Sequence, residues 1–316
     1  YHMREAGCTA AQEIAFTLAN GIVYLEQAKV RGLDLNKIGE RIAFFFNCHN
    51  DLFEEVAKFR AARRMWSQIT RERFGITNPR ANMLRFHTQT AGSSLTMQQP
   101  HNNLVRTTIQ ALAAVMGGTQ SLHTNGFDEA IGLPTEAAAA LAVKTQQIIA
   151  HESGVPNVVD PLGGSYLVEA LTDKLQSLAD LLIQDLDGRG GMLRAIEDGI
   201  PQSEIERAAY QYQNKVESGD RIVVGVNLFQ TNSETPISVT KINPALEPEQ
   251  VARILRFKQN RDQGVVASKL DKLRDLAAGK ENIMPGIIEV VRANGTLGEI
   301  SEVLRTVFGE FKPTKW

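Results

Sequence analysis

One stretch, Arg85 to Asn125 (RFHTQTAGSSLTMQQPHNNLVRTTIQALAAVMGGTQSLHTN), restricts the fold of this chain more than any other. It predicts strand, loop, helix, turn and strand. Met83 to His87 is apolar and aromatic enough for a buried strand, and polarity arrives at His87, Thr88, Gln89 and Thr90. Leu104, Ile109, Leu112, Ala113 and Met116 recur at helical spacing, and Gly117-Gly118 supplies the stop. The second strand ends in another polar cluster, Gln120, His123, Thr124 and Asn125. Parallel strands joined by a helix, each with polar groups at its C-terminal end, are the pattern of a βα-barrel with its active site on that face. A plain α/β domain with polar loop ends shares the pattern.

The flanking segments extend it. Apolar residues from Ile14 to Leu25 predict a helix over about 9–29, and Asp34 is placed to cap a short helix through Ile38. Ile42 to Phe46 predicts a strand buried on both faces, ending in Asn47, Cys48, His49 and Asn50. A long helix over about 51–74 turns Phe53, Val56, Phe59, Ala62 and Trp66 inward, with Lys58, Arg60, Arg63 and Arg64 on a solvated face. Further helices are expected from Pro134 to His151, after the turn Asp160–Ser165, over Met192–Glu197 and over 202–217. Arg221 to Asn227 (RIVVGVN) predicts a lone strand, and Thr231 to Thr235 an exposed polar segment. Helices over 247–277, 282–293 and 298–308 complete the reading.

Tyr1-His2 is taken as the end of a further strand. The fold class expected is therefore α/β: the second half of a (β/α)8 TIM barrel over residues 1–155, with a mainly helical extension wrapping it over 156–316. The missing half of the barrel is expected upstream.

Composition excludes several classes. With 34 basic and 36 acidic residues there is no global positive field for nucleic acid. Two cysteines, Cys8 and Cys48, are too few for a disulfide scaffold and fit a reducing compartment. No apolar run is long enough to span a bilayer, and the first residues do not read as a signal peptide. A cytoplasmic protein without a membrane or nucleic-acid partner is expected.

Barrel geometry gathers strand ends, here Tyr1 and His2, Asn47 and His49, His87 and Gln89, and Gln120, His123 and Asn125. The set is rich in neutral hydrogen-bonding groups, and poor in carboxylates. It lacks a nucleophile with an evident base, and its histidines are not at zinc-ligand spacing, so no metal site is expected. Such a set orients a substrate and stabilises a polarised carbonyl oxygen. Taken singly, each histidine reads as a satisfied structural residue, and only convergence singles them out.

YHMREAG at Tyr1–Gly7, RFHTQTAG at Arg85–Gly92, GGTQSLHTN at Gly117–Asn125, DEAIGLPTE at Asp128–Glu136, DPLGGSY at Asp160–Tyr166 and IVVGVN at Ile222–Asn227 occur in this order along essentially the whole chain. Together they resemble the large subunit of the methylmalonyl-CoA mutase family. The Phe44–Asn50 and His87–Asn103 segments are most similar to large subunits that work with a separate cobalamin-binding chain. The resemblance implies an adenosylcobalamin-dependent acyl-CoA mutase that rearranges a carbon skeleton through a radical. His2 matches a histidine that donates to the substrate thioester carbonyl, and Tyr1 a tyrosine lining the pocket. Gln89 and His87 match residues flanking the substrate, and Arg41 an arginine contacting coenzyme A. Ala43 stands where many members have serine. Glu5, Gly92, Gln120, Asn125, Glu129, Ala130 and Leu133 match positions around the corrin or adenosyl group. A first-turn carboxylate beside a helix N-terminus is the plainer reading of Glu129. Ser93 replaces a tryptophan common in other branches. The family's Asp-x-His-x-x-Gly motif, which supplies the lower cobalt ligand, does not occur in this sequence; another domain or chain is expected to supply it. Methylmalonyl-CoA is the first substrate implied. Isobutyryl-CoA, 2-hydroxyisobutyryl-CoA and ethylmalonyl-CoA stay open, as does a mutase-derived subunit without turnover.

Overall fold

Three short parallel strands, β1 (Phe44–Cys48), β2 (Phe86–Thr90) and β3 (Ser121–His123), form a sheet in that order. The computed structural model describes residues 1–231 and 240–312. Phe45 lies opposite His87, and His87 opposite Ser121; Asn47 lies opposite Gln89, and Gln89 opposite His123. Each of the first two strands begins and ends later than its apolar run suggests. Polarity does not end a strand whose polar side chains find partners: Thr88 bonds to Thr119 at 2.8 Å and Asn47 to Glu5 at 2.6 Å. Met83, taken for strand interior, is exposed.

The helices are α1 (His2–Glu5), α2 (Ala10–Val30), α3 (Leu35–Gly39), α4 (Leu52–Gln68), α5 (Asn102–Met116), α6 (Glu136–Glu152), α7 (Tyr166–Gly188), α8 (Met192–Glu197), α9 (Ile200–Glu217), α10 (Leu246–Gln259), α11 (Gln263–Ala278), α12 (Met284–Arg292) and α13 (Leu297–Phe308). Thr9 starts α2 with a reciprocal capping box to Gln12, and Asp34, Asp51 and Thr135 cap α3, α4 and α6 through their side chains. After α5, Gly118 takes the left-handed conformation at φ +79°. A π-helical turn, Ile69–Arg73, closes the segment that α4 opens.

The described residues form two compact units, Tyr1–Thr240 and one that begins at Lys241. In the first, one face of the sheet is the core. Phe44 meets Trp66 at 4.8 Å between ring centroids, and Phe59 stacks on Phe86 at 5.0 Å. Helices α2 and α7 pack on α4 in turn. In the second unit, Leu273, Val290, Ile300 and Val303 make a separate small core.

Several expectations are corrected. Tyr1 lies beside β1, its main-chain nitrogen donating to the Phe45 carbonyl at 2.8 Å, but from His2 the chain is helical. Arg221 to Asn227 is no strand: the Asn227 side chain accepts from Val223 N–H at 2.7 Å and donates to the Val216 and Arg221 carbonyls, closing a loop that turns at Gly225 (φ +82°). Of the segment taken as exposed, Thr231 is exposed and residues 232–235 lie outside the described ones. The helix expected over 247–277 is two, broken at Asn260–Asp262, where Asp262 caps α11. Phe53 is exposed. The basic face of α4 is solvated only in part: Lys58 is fully buried and Arg60 pairs with Asp160 and Glu169, while Arg64 is exposed and pairs with Asp173.

Candidate functional site

Strand alternation separates two faces. Phe44, Phe46, Cys48, Phe86, Thr88 and Leu122 point to the helices. On the other face, Phe45, Asn47, His87, Gln89, Ser121 and His123 stand in register, and all but Asn47 are partly or fully accessible. Tyr1 stacks on Phe45 at 4.7 Å with the planes 3° apart. His2 meets both rings edge-on, at 5.3 and 6.0 Å, and His87 closes the row at 5.1 Å from Phe45. His87 Nδ1 shares a hydrogen bond with Ser121 Oγ at 2.7 Å. Burial first, then the neighbouring His123, holds the His87 pKa below its ordinary value, so the ring is neutral near pH 7. Beside this row a cleft of about 420 Å³ is lined by Tyr1, His2, Ala43 and Phe45, with Thr17 and Asn20 of α2.

At the C-terminal end of the sheet, the turn after β2 is held from three sides. Glu5 accepts Asn47 Nδ2 at 2.6 Å with one oxygen and Ser93 N–H at 2.8 Å with the other. Asn125 Oδ1 accepts from Gln89 and from Thr90 Oγ1, each at 3.2 Å. Gly92 sits between them: a Cβ there would lie 2.9 Å from Glu5 Oε2 and 3.1 Å from Asn125 Nδ2. Burial and then Glu5 push the Tyr1 phenol pKa up to about 12, against the opposing pull of the Gly92 and Asn125 amides. Tyr1, Glu5, Gln89, Gly92 and Asn125 are thus one cluster.

The other sequence-expected residues lie elsewhere. Gln120 is at the opposite end of the sheet, where its Oε1 accepts Phe86 N–H at 2.7 Å; its side chain satisfies the start of β2. Arg41 also precedes its strand and is exposed. Glu129 accepts Gly126 N–H at 2.6 Å within the turn before α6, not in the first turn of a helix, and burial raises its pKa. Ala130 and Leu133 follow in that turn, with Leu133 exposed. His49 is buried and accepts Asn50 N–H on Nδ1, which leaves any ring proton on Nε2. Burial, then the charges of Arg4, Arg221 and Lys58, take its pKa down to about 3.

Two sets of residues escape a reading of the sequence. Gln110 of α5 is fully buried; it accepts Ala91 N–H at 2.9 Å and donates to Ser94 Oγ at 2.7 Å and Asn50 Oδ1 at 2.6 Å. The signal was available: Asn103, Thr107 and Gln110 form a polar stripe at helical spacing, and it is that stripe, not Leu104 and Ile109, that turns inward. The second set is ionic. Lys58 donates to Glu13 at 2.7 Å and to Glu55, and Glu55 also meets Arg4 at 3.4 Å. Burial opposes the Lys58 charge, but Glu13 and Glu55 outweigh it and hold the ammonium above its ordinary pKa.

The face offers neutral donors and aromatic surface for binding and orienting a polar, flat or carbonyl-bearing ligand. Thiol nucleophiles are excluded: burial pushes Cys8 up to about 12 and Cys48 well above the usual thiol range. No helix among the described residues is long and apolar enough to cross a membrane.

Residues 1–310 match the family model described as methylmalonyl-CoA mutase. The chain is 45% identical over 316 residues to the 2-hydroxyisobutanoyl-CoA mutase large subunit of Aquincola tertiaricarbonis, covering 99% of this chain and 56% of that protein. It is 45% identical over 312 residues to the methylmalonyl-CoA mutase of Escherichia coli (strain K12), covering 98% and 44%. With the mitochondrial methylmalonyl-CoA mutase of Homo sapiens it shares 43% over 314 residues, covering 99% and 42%. The chain spans about half the length of the curated relatives it matches.

Proposed function

Because the chain belongs to the methylmalonyl-CoA mutase family, we propose that it carries part of the catalytic domain of an adenosylcobalamin-dependent, cytoplasmic acyl-CoA mutase. On this reading residues 1–155 are the second half of a TIM barrel and residues 156–316 a helical extension. The observation that carries it is the row of Tyr1, His2, Phe45 and His87 along the open side of the sheet, beside the cluster of Glu5, Gln89 and Asn125 at the sheet's C-terminal end.

The residues present fit the cofactor. Gly92 is pinched so tightly that a side chain would displace Glu5 or Asn125, which keeps a main-chain surface free for a large flat group. The surrounding donors are amides and hydroxyls, suited to an amide-rich ring. Glu5, Gly92, Asn125, Glu129, Ala130 and Leu133 would hold it; Gln120, engaged with Phe86, is assigned no part. When bound, adenosylcobalamin would supply the radical chemistry of the rearrangement.

His2 donates to the thioester carbonyl, where charge shifts as the acyl skeleton rearranges, and Tyr1 and Phe45 wall the reacting carbons from water. Gln89 and neutral His87 orient the acyl group without adding charge. Arg41, exposed ahead of β1, offers its guanidinium to coenzyme A phosphate. Conversion between methylmalonyl-CoA and succinyl-CoA is the reaction proposed, with a cobalamin-binding small subunit and the remaining half of the barrel as partners. A 2-hydroxyisobutyryl-CoA substrate is the second reading, favoured by the 45% identity to that mutase's large subunit.

The test is isomerisation by the complete protein, supplied with adenosylcobalamin and a cobalamin-binding chain, on methylmalonyl-, isobutyryl-, 2-hydroxyisobutyryl- and ethylmalonyl-CoA. Conversion of one of them supports the reading. No conversion of any would point to a mutase-derived subunit without turnover.

A further inference from the structure

The buried charges of α2 and α4 connect, bond by bond, to the turn after β2. Glu13 Oε1 accepts Asn47 N–H at 2.7 Å, and Lys58 Nζ donates to the Asn47 carbonyl at 2.6 Å. Parallel pairing of β1 with β2 leaves these two main-chain groups on the far side of β1, so side chains do there what a neighbouring strand would do. Asn47 is gripped from both ends, with Glu13 and Lys58 joined to each other at 2.7 Å. Its side chain then reaches Glu5 at 2.6 Å, and Glu5 reaches Ser93 N–H at 2.8 Å.

Stability alone does not account for the pair. A buried ion pair costs desolvation, and apolar residues of similar volume often serve the fold as well. Apolar residues would not bind the N–H and C=O of Asn47. We propose that Glu13 and Lys58 are positioning residues for the Gly92–Ser94 turn, acting through Asn47 and Glu5. That this turn faces the cofactor rests on the function proposed above; the relay itself does not.

The test uses the complete protein and three variants: Glu13→Gln, Asn47→Ala and the double. Glu13→Gln keeps the side chain's shape and leaves Lys58 paired with Glu55, so the fold survives. Losing one relay bond is worth about tenfold in an equilibrium. Amide exchange in peptides covering 91–95 should therefore rise about tenfold in each variant, with exchange across α4 unchanged. The adenosylcobalamin Kd, read by absorbance titration with the cobalamin-binding chain present, should rise by a similar factor while acyl-CoA affinity holds. The double variant should be no worse than either single one, because both cut the same chain. Unchanged exchange at 91–95, or effects that add in the double variant, would overturn the relay. If exchange responds as expected but the wild-type protein, supplied with its cobalamin-binding chain, binds no adenosylcobalamin, the relay stands and the proposed function fails.

Discussion

Phe45 and His87 face each other across β1 and β2, their rings 5.1 Å apart, and Phe45 carries Tyr1 stacked on its other side. The aromatic shelf places His2, which is exposed, edge-on to two rings. Its imidazole is thus oriented by ring contacts and free to donate to a ligand. His2→Ala in the complete enzyme is expected to lower kcat roughly 10²–10³-fold, as loss of one oxyanion donor does, with a smaller change in KM. Steady-state kinetics on the preferred acyl-CoA decide it; near-normal turnover would remove His2 from the chemistry.

Lys58→Met should be far more damaging to the fold than its conservative volume suggests. It strands the Glu13 carboxylate in the interior and leaves Glu55 with Arg4 as its one cation among the described residues, both carboxylates being fully buried. The cost expected is about 3–5 kcal/mol, measured as a fall in the urea midpoint. Replacing all three charges with apolar residues should recover only part of it, because the Asn47 N–H and carbonyl then go unpaired.

Acid should destabilise the protein through His49. Its pKa is about 3 in the fold, whereas an ordinary histidine in the unfolded chain titrates near 6.5. Between those values the unfolded state binds a proton that the fold does not. Stability therefore rises with pH across this window, and falls as pH drops through it, by up to about 1.4 kcal/mol per pH unit. His49→Gln keeps an acceptor for Asn50 N–H and removes the titration. Denaturation curves collected from about pH 4 to 7 should be flatter for the variant; equal slopes would show that His49 is not held neutral.

Two glycines should respond differently to alanine. At Gly117 the new methyl would collide with the Phe59 ring in the core, which is packed on Phe86, so about 1–3 kcal/mol of stability should be lost. At Gly92 it would push on Glu5 and Asn125 beside the open face. There the expected loss is in adenosylcobalamin affinity, with the melting temperature nearly unchanged. A Gly92→Ala protein that binds the cofactor normally would place the cofactor elsewhere.

What the sequence discloses is what local chemistry decides. Asp34 caps its helix as its position suggests, and the Gly117-Gly118 pair stops α5. Strand ends are misjudged because loss of apolar character looks like the end of a strand, while Asn47 and Thr88 have partners that only the fold brings near. The same reason hides Lys58: on one helix a lysine among arginines reads as solvated, and Glu13, which pairs with it, is on another. Ile222 to Val226 has the composition of a strand, but Asn227 ties it into a loop instead. Tyr1, Glu5, Gln89, Gly92 and Asn125 converge, while Gln120 shows that proximity in sequence to a strand end does not say which end.

Across the three strands the parity of the residue number divides the work: 44, 46, 48, 86, 88 and 122 face the helices, and 45, 47, 87, 89, 121 and 123 the opposite side. Point changes at the accessible odd positions, 45, 87, 89, 121 and 123, can therefore retune what the face recognises while the packing beneath stays the same. An insertion or deletion of one residue inside a strand would instead exchange the two sets, placing Phe44 and Phe46 where ligands approach and His87 in the core. Relatives that diverge in substrate are expected to differ at these positions by substitution, and to keep the length of each strand fixed.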